Sequence, residues 1–180
     1  HIRIMFPMIS SLDEYRRARS IVEQCLSELK TEEVPYNPNP EIGVMIEIPS
    51  LIPLLPAIAK EVDFFSVGTN DLIQFYLAVD RTNEKVASFY NPAHPAILRA
   101  LKQIADISSE TGCDLSVCGD MAHMEKFIPF LIGIGIQSLS VDPVFIPRIK
   151  QSLLKTSSAD VRGFTERLLA LDTISSIESE

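Results

Sequence analysis

Short apolar runs rich in β-branched residues alternate along the chain with longer stretches in which apolar residues recur every three or four positions. These are the signatures of buried strands and amphipathic helices. Residues 2–8 predict a first strand. Ser10, Ser11 and Asp13 then read as a helix start, followed by apolar positions at Leu12, Tyr15, Ala18, Val22, Cys25, Leu26 and Leu29. Residues 30–40, with three prolines and two asparagines, read as an exposed connector. A second strand is expected over 42–48, with Ser50 capping a helix that runs to Lys60. A third strand over 62–67 breaks at Gly68, and a helix follows over 71–78. Residues 80–95 look irregular. Ile97, Leu101, Ile104 and Ile107 then mark a helix ended by Gly112. Strands four and five are expected over 115–118 and 137–141, separated by a helix over 124–132. Pro147 suits the first turn of the next helix, and the tail from Ser157 reads as one further helix with a polar end.

This repetition implies a parallel sheet, because parallel neighbours need a crossover of about a dozen residues. Five βα units fit either an open doubly wound sheet or part of a (β/α)8 barrel, which usually needs about 250 residues. The chain has 180.

Composition narrows the partners. The net charge of -8 disfavours nucleic acid and anionic membrane surfaces, which demand a basic face. A phosphorylated ligand would need local cations or a metal. The longest apolar run, residues 127–136, contains a proline and two glycines and does not predict a membrane span. The amino-terminal residues lack the layout of a signal peptide. Three cysteines without framework spacing point to a reduced, cytoplasmic setting.

In both candidate architectures ligands bind at the carboxyl ends of the strands. Glu47, Asn70, Asp71 and Cys118 are expected there. Glu47 and Asp71 close adjacent strands about 4.8 Å apart, so the two carboxylates could share one cation. Mg2+ suits one or two carboxylates, with water and substrate oxygens completing its shell. Thr69 or Asn70 could simply cap the helix that follows. Arg81, in an irregular segment just beyond, could reach a phosphate. Cys118 reads either as a small buried hydrophobe or as a proton donor beside a metal. A dyad of Cys118 with His123 lacks a group to orient the imidazole.

Several segments, taken in order, carry a resemblance. They are Ile-Met-Phe-Pro-Met (4–8), Glu-Ile-Gly-Val-Met-Ile-Glu-Ile-Pro (41–49), Val-Asp-Phe-Phe-Ser-Val-Gly-Thr-Asn-Asp-Leu-Ile-Gln-Phe (62–75), Leu-Ala-Val-Asp-Arg-Thr-Asn (77–83), Val-Cys-Gly-Asp-Met-Ala (117–122) and Ile-Pro-Arg-Ile-Lys (146–150). Together they resemble the C-terminal phosphoenolpyruvate-binding barrel of the phosphoenolpyruvate-protein phosphotransferases, Enzyme I of the bacterial phosphotransferase system, its nitrogen-related paralogue included. Pyruvate phosphate dikinase and phosphoenolpyruvate synthase share the Gly-Thr-Asn-Asp-Leu and Cys-Gly elements. The 77–81 and 146–150 stretches fit Enzyme I better. A barrel that has lost turnover and serves as a regulatory module is the non-enzymatic alternative.

The resemblance implies a TIM barrel of which residues 1–180 form a C-terminal part of about five βα units. It implies that Glu47 and Asp71 bind Mg2+, that Asn70 and Arg81 contact the phosphate, and that Cys118 exchanges a proton with the substrate's methylene carbon. It further implies a cytoplasmic enzyme of sugar transport or its regulation, with phosphoenolpyruvate as donor and a histidine on an upstream domain as acceptor. A small phosphocarrier protein and a homodimeric assembly complete the expected partners. His1, His94 and His123 all lie in the wrong context to be that acceptor, so the isolated chain is expected to be inactive.

Three departures from the family pattern stand out. Asp120 replaces a usual Glu, His123 replaces a usual Gly, and residues 141–145 replace a more serine-rich stretch.

Overall fold

The computed structural model describes residues 2–180, apart from the side chains of residues 158–160; His1 lies outside the described residues. Five parallel strands form one sheet in the order β1-β2-β3-β4-β5: β1 Arg3–Phe6, β2 Glu41–Ile46, β3 Phe64–Gly68, β4 Asp114–Cys118 and β5 Ser138–Leu139. This order decides between the two architectures. A doubly wound sheet reverses direction at a switch point, whereas here each strand lies beside its predecessor, as in a barrel wall. The sheet also curls far enough for Arg3 on β1 to reach Asp114 on β4.

The helices are α1 Leu12–Thr31, α2 Leu55–Ile58, α3 Thr69–Tyr76, α4 Pro95–Thr111, α5 Ile128–Gly133, α6 Ile146–Lys155, α7 Ser158–Ala170 and α8 Ile174–Ser179. Ser11 caps α1 by accepting from the Glu14 N–H at 3.3 Å. Gly112 ends α4 at φ 69°, a left-handed conformation that glycine adopts without penalty. The two faces of the sheet differ in character. Ile42, Val44, Ile46, Phe65, Val67, Leu115 and Val117 pack into the apolar cluster with Ile97, Leu101 and Ile104 of α4. Residues of the opposite parity are Met45, Ser66 and Ser116 in one row, with Gly68 paired to Cys118 one step nearer the carboxyl end. This second face is the inner wall of the arc, and it carries Met45 and Phe64 as well as the two serines.

Apolar grooves flank both outer strands. One of about 470 Å³ lies beside β1, lined by Ile4, Val22, Leu26, Leu29 and Pro40. The other, about 310 Å³, lies beside β5 and is lined by Leu131, Leu139, Val141 and Ile149.

Several sequence expectations are corrected. Ser50 caps nothing: residues Pro49–Leu54 form a 3-10 helix whose start has no side-chain cap, and the Ser50 hydroxyl instead donates to Ser10 O at 3.3 Å. Two prolines, Pro53 and Pro56, leave only one turn of α-helix after it. Helix α3 begins at Thr69, two residues early, with Gly68 at its cap and no side-chain capping bond, so neither Thr69 nor Asn70 caps it. The helix expected over 124–132 is a 3-10 turn, Glu125–Phe127, followed by the short α5. Strand β5 is two residues long rather than five. The tail holds two helices instead of one.

Among the described residues no helix is long and apolar enough to cross a membrane.

Candidate functional site

Glu47 leaves the end of β2 almost wholly buried, at 5% exposure, which a carboxylate tolerates only with hydrogen-bond donors. One donor comes from the previous βα connection, where the Met8 N–H donates to Glu47 Oε2 at 2.8 Å. Met8 holds the left-handed conformation, φ 59°, a costly state for a side chain of its size. Beside Glu47 on the inner face stands Gly68. A Cβ there would lie 2.7 Å from Glu47 Cγ and 3.0 Å from its Oε1. Glycine therefore leaves open the space between Glu47 and Cys118, which pairs with Gly68 from the other side.

Cys118 is half-buried. Its thiol donates to Val67 O at 3.3 Å and accepts a long contact from the Ser66 hydroxyl at 3.8 Å. Burial pushes the thiol's pKa up, the Ser66 hydroxyl opposes this, and the charges of Glu47 and Asp71 raise it further. The thiol is thus held protonated at neutral pH, and both carboxylates bear on it. Asp71 sits in the first turn of α3, with Arg81 Nη2 at 3.8 Å from its Oδ1. Arg81 in turn donates its backbone N–H to Gln74 Oε1 at 3.2 Å, which anchors the loop to α3.

Thr69 and Asn70, freed from capping, join strands instead. The Thr69 hydroxyl donates to Cys118 O at 2.7 Å, and Asn70 Oδ1 accepts the Asp120 N–H at 2.8 Å. Gly119 lies between these bonds at φ 84°, where a Cβ would meet Thr69 Oγ1 at 2.4 Å. The turn after β4 is therefore stitched to the start of α3. The structure brings Glu47, Asn70, Asp71, Arg81 and Cys118 to the carboxyl ends of three adjacent strands. His123 does not join Cys118; its ring stacks on Phe145 at 4.2 Å between centroids and 5° between planes.

Sequence reading missed Met8, whose contribution is a backbone N–H that no side-chain pattern reveals. It also missed Tyr90. Its hydroxyl is buried without a hydrogen-bond partner among the described residues. Burial raises the Tyr90 pKa; the Asp120 and Asp71 charges add to this and Arg81 opposes it. Tyr90 therefore feels the charges of the same cluster. Among the described residues, no group of three or more His, Cys, Asp and Glu side chains forms a metal cage. Two buried or half-buried carboxylates with room beside them are nevertheless a donor set that fits a hard cation keeping water and ligand oxygens.

Residues 1–158 match the family model described as "PEP-utilising enzyme, PEP-binding domain". A phosphoenolpyruvate-protein phosphotransferase of Priestia megaterium is 39% identical over 173 residues, 96% of this chain and 30% of that protein. A protein of Escherichia coli K12 named "Phosphoenolpyruvate-dependent phosphotransferase system" is 43% identical over 170 residues, 94% of this chain and 23% of its own length. The chain thus spans about a quarter to a third of these relatives. Among solved structures, the malate synthase of Haloferax volcanii superposes with a TM-score of 0.59 at 16% identity, covering 86% of this chain and 45% of that one. That likeness concerns the fold, and it agrees with a partial TIM barrel.

Proposed function

The chain belongs to the PEP-utilising enzymes, and from that premise we propose that it is the phosphoenolpyruvate-binding catalytic part of a phosphoenolpyruvate-protein phosphotransferase. In this reading residues 1–180 are the C-terminal part of the binding barrel. The acceptor is a histidine on an upstream domain, which passes its phosphoryl group to a small phosphocarrier protein. The names of the relatives favour a phosphotransferase over a dikinase or synthase. A cytoplasmic location and a homodimer belong to the same proposal.

The observation that carries the reading is the placing of Glu47, Asp71 and Cys118 at the carboxyl ends of three adjacent strands, around the space that Gly68 leaves open. Glu47 and Asp71 would hold Mg2+, which when bound neutralises the developing charge on the enolate oxygen and the phosphate. Asn70 and Arg81 would orient the phosphate, and Arg81 is released from its long contact with Asp71 to do so. Transfer breaks the bond between phosphorus and the enol oxygen, forms a bond from phosphorus to a histidine nitrogen, and leaves the electron pair on the enolate. Cys118, protonated at neutral pH, then gives its proton to the methylene carbon and yields pyruvate. The Ser66 hydroxyl stabilises the thiolate left behind.

Calorimetric titration of oxalate into the protein with and without Mg2+ tests the reading. Saturable binding that needs Mg2+ and disappears in Glu47→Gln supports it. The amide of that variant still accepts from the Met8 N–H, so the loss reports charge rather than fold. Equal binding by the wild type and Glu47→Gln overturns the metal assignment, while Cys118→Ala should bind oxalate normally and, in the longer protein that carries the acceptor domain, lose proton transfer.

A further inference from the structure

The β4–β5 ladder ends one residue short of the thiol. Its last backbone bond runs from Ser140 N to Val117 O at 2.8 Å, and the paired residues are only Ser116 with Ser138 and Val117 with Leu139. On the β3 side, Cys118 and Asp120 are held by Thr69 and Asn70. On the β5 side, beyond Val117, side-chain contacts join the turn and the residues after it to the segment after β5. His123 stacks on Phe145, nearly parallel at 4.2 Å, and Arg148 pairs with Glu125. His123 is bound into the Cys118–Asp120 turn through its backbone N–H, which donates to Asp120 O at 3.1 Å. Phe145 ends the 3-10 turn that opens α6.

We propose that His123 and Phe145 are a positioning pair whose stacked rings clamp the Cys118–Asp120 turn to the connection after β5 and so fix the place of the thiol. The ion pair is too exposed to do this alone, since Arg148 is 70% and Glu125 42% accessible. The rings are half-buried, and stacked rings contribute beyond their area through their charge distribution. The clamp's meaning for catalysis rests on the reading of Cys118 as proton donor; the clamp itself does not, and its test needs no substrate.

The three cysteines supply the test, because Cys25 is exposed, Cys113 buried and Cys118 between the two. Alkylation by iodoacetamide, followed at each cysteine by peptide mass spectrometry, reads local opening at Cys118. Cys25 serves as the reagent standard. Cys113, at the other end of β4, reports global unfolding. In His123→Gly and in Phe145→Ala the Cys118 rate should rise about threefold to tenfold, the range that loss of one stacked pair supports, with Cys113 unchanged. The double variant should exceed neither single variant, and His123→Phe, which can still stack, should restore the wild-type rate. A Cys118 rate within twofold of wild type in both single variants overturns the proposal. So does a parallel rise at Cys113, or additive effects in the double variant. Failure of the Cys118→Ala effect on proton transfer would instead sink the catalytic reading and leave the clamp standing.

Discussion

Arg3 and Asp114 belong to strands with two others between them, yet Arg3 Nη2 lies 2.8 Å from Asp114 Oδ2. In a flat sheet three strand spacings amount to about 14 Å, beyond the reach of two side chains in this geometry. The contact therefore measures curvature. Arg3 also pairs with Glu41 at 2.5 Å and lies 4.4 Å from the centre of the Phe64 ring, so one side chain touches β2, β3 and β4.

Arg3→Ala should lower stability to urea by about 1–2 kcal/mol, the sum expected of two exposed ion pairs and one cation–π contact. Asp114→Asn should cost less than about 1 kcal/mol, because Arg3 keeps its other two partners. Equal losses from the two changes would mean that the Asp114 contact dominates.

Gly68→Ala should disturb the site more than the fold. The added carbon would sit 2.7 Å from Glu47 Cγ and 2.9 Å from Met45 Sδ. Methionine can yield, whereas Glu47 is held by the Met8 N–H. A loss of about 1–3 kcal/mol in urea unfolding is expected, together with loss of Mg2+-dependent oxalate binding. Unchanged oxalate affinity would show that Glu47 tolerates displacement.

Alkali should weaken the fold through Cys113. Burial first, then the Asp114 and Asp63 charges, push this thiol up to about 11, against about 8.5 in an unfolded chain. The folded-state value is the higher one. Its stabilisation is therefore complete below about pH 8.5 and is lost as pH rises toward about 11. A Cys113→Ala variant should show a flatter fall in melting temperature across that window. An identical slope would assign the alkaline loss elsewhere.

Acid acts through Glu14 and Glu61. The Ser10 backbone N–H and hydroxyl hold the Glu14 carboxyl below its usual range, and the Arg16 guanidinium does the same for Glu61. Depressed carboxylates stabilise the fold above their unfolded value of about 4.3, and that contribution is lost as pH falls through the lower folded value. Glu14→Gln and Glu61→Gln should each reduce the steepness of acid unfolding followed by circular dichroism. Steepness equal to that of the wild type in both would assign the acid response to other groups.

What could be read from the sequence follows the range of the interactions involved. The strand and helix alternation is local, so all five strands and the α1 and α4 helices were legible from periodicity. The errors have local causes that periodicity does not capture. Pro53 and Pro56 shorten the helix after β2, and Thr69 prefers the Cys118 carbonyl to a capping role. Glu47 and Cys118 stood out because each polar side chain ends an apolar run. The Met8 N–H, the His123–Phe145 stack and the buried Tyr90 hydroxyl depend on chain segments meeting in space, so no spacing announces them.

The left-handed turn at Met8 costs the backbone roughly 1–3 kcal/mol, and it aims an N–H at Glu47 from a different βα unit. The carboxylate has therefore lost its rotational freedom before any cation or ligand arrives. A site that has already frozen its key side chain binds without the entropy penalty of ordering it. Under the proposed function, binding then depends on the backbone of the β1–α1 connection as much as on the acid itself.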